Sequence, residues 1–264
     1  MKLAIAGKGG SGKTSISGTM ARSLARSGHN VLAIDGDSNP NLALTLGVDP
    51  GLMDAVPTLP PDLIRRGQNG IELTRSFDEV AASHSLAAPD GVSLLVMALP
   101  QHADTGCLCS MHATVRTLIE AAPTGGQDVT ILDTEASPEH LSRGTAKYAD
   151  ALLAVVEPYF KSLETGRRMA ALARDLGLED VKLVANKVRD ERELEAVREF
   201  AHSNDIEVAG VIPFDEHMRR AEQASVSPLD LDPEAPSVRA IRALAEEIMS
   251  NARAGNGRVT SGRA

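Results

Sequence analysis

Tryptophan is absent from this chain of 264 residues, aromatic side chains make up only 2% of it, and cysteine occurs twice. Aliphatic packing must therefore fill the core, and two thiols cannot build a disulfide scaffold. Positive charge is also short: 27 Lys and Arg against 36 Asp and Glu leave a net charge of -9 and a pI near 5.3. A protein that neutralises many phosphates of a polynucleotide needs clustered cations, so nucleic acid is not an expected partner. No apolar run reaches the roughly 20 residues of a membrane span, and after Met1 and Lys2 the chain enters Leu-Ala-Ile-Ala-Gly without a long apolar region or a cleavage site. A cytoplasmic protein with no membrane partner is expected.

What is present is alternation. Short aliphatic runs at 2–6, 30–34, 92–97, 129–132, 151–156, 181–185 and 208–212 predict strands. Helical spacing covers 14–27, 111–121, 139–147, 162–176, 190–203 and 236–252, with Gly28 and Gly177 as C-terminal stops. This order predicts an α/β fold with a doubly wound, mostly parallel sheet and helices on both faces. Residues 1–250 are expected to form a single domain. Pro57, Pro60, Pro61 and Pro89 break the pattern between Pro50 and Gly91, which reads as an irregular excursion. The stretch 251–264 lacks core residues and reads as a disordered tail.

Gly7-Lys8-Gly9-Gly10-Ser11-Gly12-Lys13-Thr14 matches G-x-x-x-x-G-K-[ST] between a strand and a helix, the P-loop context. Its glycines let backbone N–H groups turn toward phosphates, and the helix offers them its positive end. Lys13 is placed to meet the β and γ phosphates of ATP or ADP, and Thr14 to offer a hydroxyl to Mg²⁺. Asp133, closing Val-Thr-Ile-Leu, stands where a carboxylate supporting the Mg²⁺ shell is expected. Asp35 and Asp37 can hold metal-bound water and orient the attacking one; the alternative is that they serve only as helix caps.

Lys8 departs from a plain P-loop. With it, the motif resembles the deviant Walker A ATPases, whose extra lysine reaches the partner subunit's nucleotide much as an arginine finger does. A homodimer is implied. Further segments resemble the CooC family, ATPases that help insert nickel into carbon monoxide dehydrogenase: residues 1–14, 34–47, the Cys-Leu-Cys at 107–109, and 138–150, 155–166, 186–190 and 210–215. By that resemblance Asn186 reads the adenine, and Pro213, Phe214 and Asp215 line the base pocket. The expected nucleotide-binding set is Gly7, Lys8, Gly9, Gly10, Ser11, Gly12, Lys13, Thr14 and Ser15 with Asn186, Lys187 and Pro213 to Asp215; Lys8, Lys13, Asp37 and Asp133 are the expected catalytic residues. Thr134-Glu135-Ala136-Ser137-Pro138 departs from the small, Gly-containing sequence usual there, which restricts the backbone and bears on the amplitude of any switch.

The two cysteines stand two apart, a spacing that random placement gives about once in 130. In an extended segment Cys107 and Cys109 would point to one side and offer two thiolates to one ion. A two-fold dimer would double them into four ligands for Zn²⁺ or Ni²⁺, or less readily for an Fe–S cluster. His102 and His112 could add a ligand, although a surface histidine is the commoner outcome. The leading expectation is a metallochaperone ATPase acting on a metalloenzyme client. The alternatives are an electron donor resembling the nitrogenase iron protein, and a positioning ATPase of the MinD or ParA kind.

Overall fold

The computed structural model describes residues 1–68, 70–97, 109–125 and 128–259. Its strands are β1 (Lys2–Gly7), β2 (Asn30–Gly36), β3 (Thr58–Leu59), β4 (Ile64–Gly67), β5 (Gly70–Leu73), β6 (Leu86–Ala87), β7 (Ser93–Met97), β8 (Asp128–Thr134), β9 (Ala151–Val156), β10 (Asp180–Val188) and β11 (Glu207–Pro213). Its helices are α1 (Lys13–Arg26), α2 (Leu42–Thr45), α3 (Phe77–His84), α4 (Cys109–Ala121), α5 (Glu139–Ser142), α6 (Phe160–Asp175), α7 (Glu191–Ser203), α8 (Glu216–Gln223), α9 (Pro228–Leu231) and α10 (Pro236–Val259).

Among the described residues the main sheet runs β11-β10-β9-β1-β8-β2-β7-β3, parallel throughout, with β6 antiparallel to β7. The fold is the expected one: a mostly parallel sheet covered on both faces. Successive side chains of a strand face opposite ways, and the core divides accordingly. Leu3 and Ile5 pack with Ile16 and Met20 of α1 and Ile241 and Leu244 of α10. Ala4 and Ala6 face the other layer, with Val115 and Leu118 of α4, Met169 of α6 and Val197 of α7. Strands buried on both faces read as unbroken aliphatic runs, which is why all seven longer strands were readable.

β1 lies between β8 and β9, both of which follow it by more than a hundred residues. The strand order therefore reverses at β1, and ligands of open α/β sheets bind at the carboxyl end of such a point. The register puts Asp133 opposite both Ile5 and Asp35, and Gly7 opposite Val155.

The structure amends several boundaries. The excursion at 50–91 is more regular than expected: β4 and β5 form a hairpin, α3 starts at a capping box in which Ser76 and Glu79 bond each other's backbone, and β3 and β6 share the outer edge of β7. Helix α5 stops at Ser142, not 147, because Gly144 turns left-handed at φ 73°. Helix α10 continues to Val259, well into the stretch from Asn251 read as a disordered tail; extending a formed helix adds one hydrogen bond per residue without a new nucleus.

Helix α1 is also tied from behind. The Arg22 guanidinium, 3% exposed, donates to Asp90 Oδ2 at 2.6 Å and to both Asp230 oxygens at 2.5 and 2.8 Å. Removing the cation leaves Asp90 and Asp230 to the more exposed Arg26, at 2.9 and 3.5 Å. Arg22→Met is expected to lower stability by about 2 kcal/mol, less than the ~3–5 kcal/mol of a broken, fully buried pair, because Asp230 keeps access to water and Arg26 still reaches both acids. Urea unfolding measures it, and a loss under ~0.5 kcal/mol contradicts the assignment.

Candidate functional site

The cradle forms where β1 ends. Gly10 and Gly12 adopt φ 79° and 95°, left-handed geometry that a side chain would strain. A Cβ on Gly12 would run into the Asn186 amide, whereas Gly10 faces open space. Lys13 is the first residue of α1 and is 5% exposed. The first turn of α1 carries no acidic residue and its N-cap makes no side-chain bond, so its N–H groups and positive end are left for an external anion. The buried Ser11 hydroxyl has no partner among the described residues. An unmatched hydroxyl, open space at a glycine and a sequestered ammonium together suit a polyphosphate.

Three acids gather beside this cradle. Asp133 accepts from Ser17 Oγ at 3.0 Å and lies against Thr14 and Lys13; burial pushes its carboxyl up to about 6, against the pull of Thr14 and Lys13. Asp35, fully buried, accepts from Asp37 N at 3.2 Å and Leu42 N at 2.9 Å. Burial first, and Asp133 second, push it up to about 7. Asp37 is half-buried and accepts from Asn39 N at 2.9 Å. Asp35 thus caps the turn into α2, one of the two readings the sequence left open, while standing beside Asp133.

On the opposite side, residues after β10 clamp the loop. Asn186 Nδ2 donates to Ser11 O at 2.7 Å, and its Oδ1 accepts from Lys187 N at 2.9 Å. Lys187, held at φ 60°, donates from Nζ to Gly10 O at 2.6 Å and to Glu157 Oε1 at 2.9 Å. Both ends of the Asn186 amide are therefore engaged by protein. A cavity of about 720 Å³ opens beyond, lined by Lys13, Thr14, Ser15, Asn186, Lys187, Pro213, Phe214 and Asp215 among others. The Arg189 guanidinium stacks on Phe214 at 4.4 Å, and Asp215 caps α8 through His217 N at 2.9 Å while accepting from Ser237 Oγ at 2.9 Å. Lys8 rests on Tyr159, 5.2 Å from the ring centroid, with Nζ 3.5 Å from its hydroxyl.

The sequence-derived residues 7–15, 35, 37, 133, 186, 187 and 213–215 thus converge on the carboxyl end of the sheet. Ser17, Glu157 and Tyr159 were missed; Ser17, one turn after Lys13, could have been found from i, i+4 spacing. Cys107 and His102 lie outside the described residues, and Cys109 opens α4. His112 is corrected: it is not a surface side chain but fully buried, because its turn of α4 packs against Glu135 in the loop after β8 and Thr145 beyond α5. Among the described residues no group of three His, Cys, Asp or Glu could hold a metal ion, and no helix is long and apolar enough to cross a membrane.

Comparison with known proteins agrees with this geometry. Residues 2–229 match the CobQ/CobB/MinD/ParA nucleotide-binding domain family. The chain belongs to that family and is a P-loop ATPase, on its CooC branch. It is 36% identical over 88% of its length to the carbon monoxide dehydrogenase accessory protein CooC of Rhodospirillum rubrum, covering 91% of that protein. An uncharacterized ATP-binding protein of Methanocaldococcus jannaschii is 34% identical over 89% of the chain and 93% of its own length. The MinD cell division protein of Aquifex aeolicus superposes with a TM-score of 0.70 over 94% of this chain and 97% of that one, and at 22% identity shares the fold.

The raised acids set a pH dependence. Between about pH 4 and about pH 7 the folded, nucleotide-free chain keeps protons on Asp35 and Asp133 that the unfolded chain has released, so stability falls as pH rises through that window. Asp133→Asn keeps an acceptor for Ser17 and removes one buried charge. The variant is expected to lose less stability across the window and to melt at pH 7.5 no lower than the parent, by scanning calorimetry without nucleotide. A steeper loss of stability with rising pH in the variant contradicts this.

Proposed function

We propose that the chain works as an ATP-dependent homodimer that helps insert nickel into a metalloenzyme, of which carbon monoxide dehydrogenase is the model client. The likeness to CooC across almost the whole length of both chains supports the client class. The observation that carries the dimer is Lys8: its ammonium lies on Tyr159, while Lys13 alone is sequestered in the chain's own cradle. A second cation beside the phosphates is useful where it meets charge developing in another subunit's nucleotide.

In this reading the turn from Gly7 to Ser15 binds the triphosphate through backbone N–H groups, and Lys13 meets the β and γ oxygens. Asn186 and Lys187 keep the loop from collapsing, with the base in the cavity toward Pro213, Phe214 and Asp215. Mg²⁺ held by the Thr14 hydroxyl, with Asp35, Asp37 and Asp133 around its waters, would neutralise phosphate charge. Asp37, the acid of the three with most access to solvent, orients the attacking water; Lys8 from the partner copy stabilises charge on the phosphoryl oxygens. Nickel or zinc is cargo, taken by Cys107 and Cys109 of two copies as four thiolates. The reaction partners are small ions, a twin chain and an enzyme in the cytoplasm.

Two measurements test this. Lys8→Ala is expected to retain nucleotide binding but lose hydrolysis about 10³-fold, the scale of a missing arginine finger; an unchanged rate contradicts the trans role. The Cys107→Ala, Cys109→Ala pair is expected to abolish binding of one Ni²⁺ or Zn²⁺ per two chains in equilibrium dialysis. An unchanged stoichiometry rules out the thiolate site.

A further inference from the structure

His112 on α4 and His140 on α5 are both fully buried, and neither belongs to the phosphate site. His112 Nε2 and both ring nitrogens of His140 have no hydrogen-bond partner among the described residues. Native interiors hold few such groups, and each calls for an explanation.

Two partners compete for the His112 ring. Nδ1 stands 3.3 Å from Thr145 Oγ1, which also lies 2.8 Å from His140 O, and Nε2 faces Glu135 Oε2 at 3.4 Å. Burial, opposed by Glu135, holds the imidazole below its ordinary pKa, so the neutral ring prevails near pH 7. A neutral ring carries one N–H, and the nitrogen that holds it decides whether the Glu135 contact attracts or repels.

What keeps Glu135 there is Ser38, whose hydroxyl donates to Glu135 Oε1 at 3.1 Å. Ser38 follows Asp37 in the loop after β2, and Glu135 stands two residues past Asp133 in the loop after β8. One carboxylate thus joins both loops that border the γ-phosphate end of the cradle to a ring on α4. Thr134 anchors the β8 loop through Oγ1 to Ile5 O at 2.9 Å, so motion is directed to the residues beyond it.

We infer that Glu135 is a nucleotide-controlled contact and His112 its receiver: when the two loops rearrange around a γ-phosphate, the Glu135–His112 contact changes and α4 shifts, carrying Cys109 at its first position. This inference rests on the reading that Cys107 and Cys109 take metal in an ATP-dependent dimer. It assigns His112 a positioning role, acting through α4.

The test uses the full chain with Cys107→Ser, which leaves Cys109 as its one thiol. The rate of Cys109 alkylation is measured with MgADP and with a non-hydrolysable MgATP analogue. The two rates are expected to differ about fivefold or more, the lower bound of typical coupling between sites. In His112→Leu, which fills the same space without reaching Glu135, the ratio is expected to fall to about 1, whereas His112→Gln, with a polar end in reach, restores most of it. Basal ATP hydrolysis and nucleotide-dependent melting of both variants report whether they are folded; if His112→Leu is not, Ser38→Ala, which frees Glu135 from the loop after β2, is expected to lower the ratio in its place, and a full ratio there contradicts the relay. Equal rates in the parent, a full ratio in His112→Leu, or loss of the ratio in both variants would overturn the relay. Thiol reactivity needs no metal, so a chain that binds no nickel can still pass, and one that binds nickel can still fail.

Discussion

A lysine ammonium sealed beside a buried carboxylate is the interaction on which the rest of the molecule turns. Lys13 and Asp133 come from elements more than a hundred residues apart, and each is costly to bury as a charge. Parallel pairing of β1 and β8 brings them together, and the carboxyl end of the strands at the reversal of order leaves space for a third charged body. With the Ser11 hydroxyl unmatched and the first turn of α1 free of acids, the unliganded site holds donors in excess and two carboxyls that would rather be protonated. A magnesium nucleotide supplies what is missing: an anion for the donors and a cation for the acids.

The surroundings follow from that unfinished balance. Arg22 braces the far side of α1, while Asn186 and Lys187 hold the loop open from the carbonyl side. In the proposed reading the loops after β2 and β8 meet the γ-phosphate, and a hydrogen bond from Ser38 to Glu135 joins them. The Ala-Ser-Pro that follows Glu135 limits how far the backbone can turn there. A stiff loop favours transmission through side chains, and the buried histidine pair lies where such a signal would arrive.

Most of this was legible in the sequence because its causes are local. The P-loop is contiguous, the strands buried on both faces announce themselves as aliphatic runs, and Asp35 and Asp133 close such runs. What was not legible depends on distant pairing. Glu157 and Tyr159 acquire meaning only when β9 lies beside Gly7, and His112 becomes a buried group only when α4 meets the loop after β8. Asp215 carries a capping bond and a link to α10 in addition to its place by the cavity, which no spacing rule announces. The start of α3 was a different kind of miss: Ser76 and Glu79 form a capping box that a search for S-x-x-E would have found.

Calorimetric titration with MgATP, comparing the parent with Lys13→Ala, tests the cradle most directly. The account predicts one nucleotide per chain in the parent and at least a ~10-fold weaker affinity in the variant, as expected when a hydrogen bond to a charged group is lost. Equal affinity in the two chains, or no binding to the parent, would contradict it.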